Sequence, residues 1–361
     1  MRLFPSGPKR IRFRRMCATL TAAIGMVALL APVPADAGES WPCQDRTYSV
    51  QIPLPEFLMS VLSEQGSMYG HLCSPPGAKT LAVLIPGGTY NSSYWDIGYL
   101  PQDRALQSRS FQMAMYNAGI ATLAVDRLGT GHSSKPPSVL LTASSQAATV
   151  HQVIGKMRSQ YDKVIVGGHS IGSAMALIEA GTYRDVDGVF TTGFTHGMNY
   201  TVVAPTLAKM TPAAVDPVLG NKYRDLKDLA YLTTSPGSRY QDFHTPGPRD
   251  PDAITYDEDT KDVFAATEAV DVILLNSQIT PISQRITVPV MVVQGDDPNY
   301  CGPPLGATCT SGETLRRSEA PYYPKSPRLS AYVLHGYGHS INYAPNAPEY
   351  YKHIADWLHT L

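Results

Sequence analysis

The sequence predicts an α/β fold: a mainly parallel, twisted sheet flanked by helices, with a mostly helical insertion late in the chain. Three observations lead there. Short β-branched apolar runs alternate with longer segments of helical periodicity. The runs are apolar almost without interruption, as in strands buried on both faces. The alternation stops between about 196 and 285 and then resumes. A chain of 361 residues, 43% of them hydrophobic, is long enough to bury a large core.

The elements follow in order. MRLFPSGPKRIRFRRM carries six basic residues and no acid, CATLTAAIGMVALLA is apolar, and PVPADA ends in Ala35-Asp36-Ala37. This is the order of a secretory signal peptide, with cleavage expected after Ala37. The apolar run is shorter than the roughly 20 residues an anchor needs, so no stable membrane insertion is expected after cleavage. TYSVQIP and SMYGHLC are candidate antiparallel edge strands. TLAVLIP (80–86), GIATLAVD (119–126), KVIVGG (163–168), DGVFTTG (187–193), VPVMVVQG (288–295) and LSAYVLHG (329–336) are candidate buried strands. Helices are expected in RALQSRSFQMAMYNAG, SQAATVHQVIGKMRSQY, IGSAMALIEAGTY and NAPEYYKHIADWLHTL. The insertion holds the polar stretch TTSPGSRYQDFHTPGPRDPDAITYDED and amphipathic pieces PTLAKM, KYRDLKDLAYL and VFAATEAVDVILLNS. The expected organisation is therefore a signal at 1–37, a core at 38–195 and 286–361, and a cap or lid at 196–285.

Charge and cysteines limit the function. The net charge is −1; removing the signal's six basic residues and one acid leaves 23 basic against 29 acidic residues, near −6. With no basic stripe, nucleic acid is not an expected partner. Cys43, Cys73, Cys301 and Cys309 remain, an even number that suggests two disulfides in an exported chain. Four cysteines allow three pairings. Cys301–Cys309 would close the loop CGPPLGATC, and Cys43–Cys73 would tie the N-terminal segment to an early strand. No C-x-x-C pair marks a metal site, no G-x-G-x-x-G or P-loop appears, and no cofactor or metal is expected.

The chemistry starts at VGGHSIGSA. Gly168-His169-Ser170-Ile171-Gly172 matches G-x-S-x-G, between a predicted strand and a predicted helix, the setting of a nucleophile elbow. Serine needs a base, and the base an orienting acid, in chain order Ser, acid, His. VMVVQGDDPNYC places Asp296 and Asp297 just past a strand, with Asp297 favoured. LHGYGHSIN places His339 just past the last strand. A tetrahedral oxyanion needs two backbone donors. The candidates are Ile171 and, in LIPGGTYN, Gly88, with Thr89 second. Of the other histidines, His169 is expected to support the elbow, His335 to be structural and His196 to be a candidate pocket residue.

These motifs resemble the α/β-hydrolases, in particular secreted bacterial and fungal serine hydrolases with a cap. IPGG is similar to their His-Gly-Gly oxyanion loop, with Pro86 where histidine is usual. DRLGTGHS resembles the Asp-x-x-Gly-x-Gly-x-Ser loop after strand four, GHSIG the elbow, and GYGHS the histidine loop. The resemblance spans roughly 45–195 and 286–361; the insertion is the divergent part, although its YLTTSPGSR is also similar to that group. Relatives often carry Asp, three residues, then Cys-Gly, which favours Asp297 over Asp296. The resemblance implies a secreted or periplasmic serine hydrolase of a carboxylic ester, lactone or thioester, and the Tyr, Phe, Leu and Met of the insertion suggest a small-molecule substrate with an apolar or aromatic acyl group. An acyltransferase using the same triad is the alternative, and a non-catalytic binding protein a weaker one.

Overall fold

The computed structural model describes residues 43–53, 64–97, 108–276 and 281–361. The expected signal segment lies outside them. Eight strands form the main sheet: β1 Cys43–Ile52, β2 Glu64–Cys73, β3 Thr80–Ile85, β4 Ala121–Val125, β5 Lys163–His169, β6 Gly188–Thr192, β10 Val290–Gly295 and β11 Leu329–Leu334. Their order across the sheet is β1-β2-β4-β3-β5-β6-β10-β11. β1, β2 and β4 pair antiparallel, and every pairing from β4 to β11 is parallel. Cys43 faces Cys73 directly in the β1–β2 register, and the two are disulfide-bonded. Cys301 and Cys309 form the second disulfide.

Alternation along each strand sorts the core into two layers. Leu81, Val83, Val164, Val166 and Val292 face one side. There they pack with α2 (Ala143–Met157) and α3 (Ile171–Thr182). Ala82, Leu84, Ile165, Met291 and Val293 face the other, against α1 (Phe111–Asn117) and, at the C-terminus, α8 (Ala347–His359). Covering on both faces is why these strands read as continuous apolar runs. α2 starts at a capping box in which Thr142 and Ser145 satisfy each other's backbone donors.

The segment between β6 and β10 mixes helices with a small sheet. It contains α4 (Tyr200–Ala208), α5 (Pro251–Asp259) and α6 (Ala266–Leu275), plus β7 Thr211–Pro212, β8 Tyr231–Thr233 and β9 Phe264–Ala265, paired antiparallel. KYRDLKDLAYL does not form the expected helix. A short helical turn ends where Lys227 adopts φ 52, and Tyr231–Thr233 joins the small sheet instead. α5 was hidden in the polar stretch, although its start is encoded: Asp250 caps the N–H groups of Asp252 and Ala253, and Pro251 occupies the first turn. α7 (Gly312–Glu319), capped by Ser311, lies between β10 and β11 and was also not expected. Among the described residues, no helix is long and apolar enough to cross a membrane.

Candidate active site

The chain crosses over at the centre of the sheet. β3 pairs with both β4 and β5, so the connection from β4 must pass over β3 to reach β5. The loops after β3 and β5 therefore meet at the strands' carboxyl ends, the crevice where parallel sheets place their sites.

Ser170 follows β5 and precedes α3, with φ 53 and ψ −124. A non-glycine residue in such a conformation costs on the order of 1–3 kcal/mol. The surroundings hold it. The Ser170 N–H donates to the Thr192 carbonyl at 2.8 Å, and the Ser170 carbonyl accepts from Ser173 N–H at 2.9 Å. A Cβ on Gly168 would lie 2.2 Å from the Gly172 carbonyl oxygen, and one on Gly172 would lie 2.4 Å from that of Ile85. The two glycines thus let α3 descend onto β3 and β5. Gly87 is tight but less so: a Cβ there would meet the His169 ring at 3.0 Å and Ser170 Cβ at 3.2 Å.

Asp297 sits in the turn after β10, its backbone carbonyl accepting from the N–H groups of Tyr300 and Cys301. Its Oδ1 accepts from Asn299 N (2.9 Å) and Nδ2 (2.8 Å), and its Oδ2 lies 2.6 Å from His339 Nδ1. Both residues are buried. Asp296 points elsewhere: it accepts from Gly336 N at 2.7 Å and contacts His335 Nδ1 at 2.9 Å. The His339 ring stacks on Tyr300, with centroids 5.7 Å apart, and packs against Phe243. Burial pushes the Tyr300 hydroxyl up, Asp297 adds to this, and a hydrogen bond with Ser170 opposes it.

Ser170, His339, Gly88, Thr89 and Ile171 line one cavity of about 270 Å³. The structure brings Ser170, His339, Gly88 and Ile171 together there, with Asp297 behind His339. Thr89 is not a free donor, because its N–H already donates to the Val263 carbonyl at 3.3 Å. Among the described residues, the N–H groups of Gly88 and Ile171 have no protein partner, so both remain able to bind a ligand oxygen. The remaining wall is apolar and comes mostly from the segment between β6 and β10: Val203, Leu207, Met210, Phe243, Phe264 and Ile273 are its main side chains.

The other histidines separate by environment. His169 is fully buried behind the elbow, stacked on Tyr94 at 4.3 Å. Burial, with His339 nearby, holds its pKa well below the ordinary value, so it stays neutral. His196 does not line the cavity. Its Nδ1 meets Glu319 and its Nε2 meets Ser283, each at 2.7 Å, making it a buried pin between elements.

A model of the alpha/beta hydrolase family matches residues 82–348. The chain belongs to that family. Solved structures agree on the fold. An esterase from Thermogutta terrifontis aligns at TM-score 0.54 and 15% identity, covering 87% of this chain and 98% of that one. A monoacylglycerol lipase from Paleococcus ferrophilus aligns at 0.51 and 17%, covering 81% and 98%. A peroxisomal α/β-hydrolase from Saccharomyces cerevisiae aligns at 0.52 and 14%, covering 89% and 90%. No curated protein sequence matches the chain.

This α/β-hydrolase braces its glycine loop with two buried arginines that sequence reasoning missed. Arg127 donates to the carbonyls of Gly87 and Val263, each at 3.1 Å, and to both carboxylate oxygens of Glu268 on α6. Arg239 donates to Thr89 Oγ1 at 3.0 Å and to Asp257 Oδ1 at 2.7 Å, with its guanidinium 4.4 Å from the Tyr90 ring centre. Asp257 also holds His244, which in turn meets the Tyr337 hydroxyl. Arg127 stood inside the recognised DRLGTGHS motif, but nothing in its spacing named a partner. Arg239 closes the stretch YLTTSPGSR, whose resemblance named no role for it, and Asp257 and Glu268 lie in the insertion outside any recognised motif.

Proposed function

We propose that this α/β-hydrolase is a secreted serine hydrolase of carboxylic esters, with lactones and thioesters as related substrates. Ser170 attacks the acyl carbon, His339 takes its proton and returns it to the leaving group, and Asp297 fixes the imidazole tautomer. The N–H groups of Gly88 and Ile171 receive the oxyanion. Water, activated by His339, then hydrolyses the acyl-enzyme. The observation that carries this reading is the buried 2.6 Å Asp297–His339 contact at a cavity shared with a strained Ser170. The apolar lining from the cap supports an apolar acyl group.

The test is hydrolysis of p-nitrophenyl esters across acyl lengths, with Ser170→Ala as control and fluorophosphonate labelling in parallel. Turnover lost in the variant, with Ser170 as the labelled residue, is the expected result. Absence of both turnover and labelling in folded protein overturns the proposal. Transfer of the acyl group to added alcohol in preference to water would make the enzyme an acyltransferase.

A further inference from the structure

The far end of the nucleophile helix carries a second cluster that the reaction does not use. Glu179 lies eight residues beyond Ile171 on α3, about 12 Å along the axis. It is fully buried, and no N–H donor reaches either carboxylate oxygen; the Asp185 carboxyl comes close enough to share a proton with it. Its neighbours are His151 on α2, with Nδ1 3.5 Å from Glu179 Oε1, and Asp185, whose Oδ2 is 3.0 Å from the same nitrogen. Among the described residues, no lysine or arginine ion-pairs with either carboxylate. One ligand atom from each of the three residues lies within 4.8 Å of the others.

The orientation is informative. Although His151 Nδ1 and Asp185 Oδ2 are 3.0 Å apart, they are not aligned as a hydrogen bond, and Nδ1 has no partner. The Nδ1 lone pair is therefore committed to no protein donor. Separations of 3.0 and 3.5 Å bracket the edge of a tetrahedron with metal–ligand bonds of about 2.0–2.1 Å. The local chain supports the arrangement. The His151 ring stacks flat on Tyr183, with centroids 3.8 Å apart, and Arg184 adopts φ 56, turning the chain after α3 so that Asp185 comes back to the cluster. His151 and Asp185 are each about one-third exposed, although His151 Nδ1, Asp185 Oδ1 and both Glu179 oxygens are themselves buried.

We propose that His151, Glu179 and Asp185 form a site for a divalent cation of the zinc class, with water completing the coordination. One imidazole and two carboxylates suit zinc, whereas calcium would require six or more oxygens. The cation ties α2 to the C-terminal end of α3 and to the turn behind it. It is a structural site, separate from the reaction at Ser170.

The test uses the purified protein, loaded with Zn²⁺, then dialysed and analysed for metal, alongside Glu179→Gln and His151→Ala. The expected result is about one zinc retained per chain by the wild type, at least tenfold weaker retention by both variants, and a wild-type melting temperature that falls when a chelator is added. Zinc absorption spectroscopy should show nitrogen and oxygen donors at about 2.0–2.2 Å. Ester hydrolysis by the two variants should stay within about threefold of wild type, since neither residue touches the reaction. Failure of the wild type to retain zinc, or equal retention by all three proteins, overturns the proposal and leaves a proton shared between the carboxyls. Should His151→Ala not fold, the isosteric Glu179→Gln carries the comparison, because its amide satisfies Asp185 without a metal.

Discussion

His339 Nδ1 lies 2.6 Å from Asp297 Oδ2, while the adjacent Asp296 faces away and fastens His335 and Gly336. Two consecutive aspartates therefore have separable roles. Asp297→Asn should lower kcat about 10³–10⁴-fold on p-nitrophenyl esters, because the amide favours the wrong imidazole tautomer. Asp296→Asn should stay within about threefold, since its partner His335 is a surface group. Equal losses in both variants would remove Asp297 from the triad.

Arg127 links Glu268 on α6 to the carbonyl of Gly87, so the insertion reaches the glycine loop through one buried side chain. Glu268→Ala strands the guanidinium and should cost about 3–5 kcal/mol in urea unfolding. Glu268→Gln keeps a hydrogen bond and should cost less. In Glu268→Gln the displaced loop should show as a kcat reduced about tenfold to a hundredfold with KM little changed. A pure stability loss with unaltered kcat would make Arg127 a structural residue only.

Asp257 gives a pH signature. Burial pushes its carboxyl up, but the Arg239 guanidinium and His244 outweigh this and bring it to about 2. Its folded pKa is below its ordinary value of 3.8. The stabilisation is therefore fully present above the ordinary value and is lost as pH falls towards 2. Wild type should exceed Asp257→Asn by on the order of 2 kcal/mol at neutral pH. That gap should close between about pH 4 and pH 2, read as urea midpoints of the two proteins. A gap independent of pH would show that the carboxylate charge is not the stabilising feature.

Met210 and Leu207 line the apolar wall beside Ser170 and His339. Met210→Trp should shorten the accepted acyl chain. Activity on acetate esters should change less than about threefold while octanoate esters lose tenfold or more, as expected for lost apolar contacts. A uniform loss over all lengths would place the acyl group elsewhere.

Much of this was legible in the sequence, for reasons visible in particular residues. The parallel strands announced themselves because Leu81–Ile85, Val164–Val166 and Val290–Val293 are covered on both faces, which demands apolar residues without a break. The elbow was legible because Gly168 and Gly172 are required by contacts only about 2 Å long, which fixes residue type at a fixed spacing. KYRDLKDLAYL misled because its helical spacing is real, yet Lys227 turns the chain and pairing with β7 and β9 claims Tyr231–Thr233. α5 was missed because its polar face hid a cap that Asp250 and Pro251 had encoded.

By itself, the sequence determined the α/β class, the strand-turn-helix setting of Ser170, and the candidate positions of Asp297, His339 and Gly88, because local sterics and short-range spacing dictate those residues. Tertiary structure alone decided which aspartate meets His339, that Thr89 spends its N–H on Val263, and that Arg127 and Arg239 brace the glycine loop from the insertion. It also decided that His151, Glu179 and Asp185 converge. Those outcomes depend on side-chain directions and on contacts between residues far apart in the chain, and no pattern of spacing along one strand or helix carries that information.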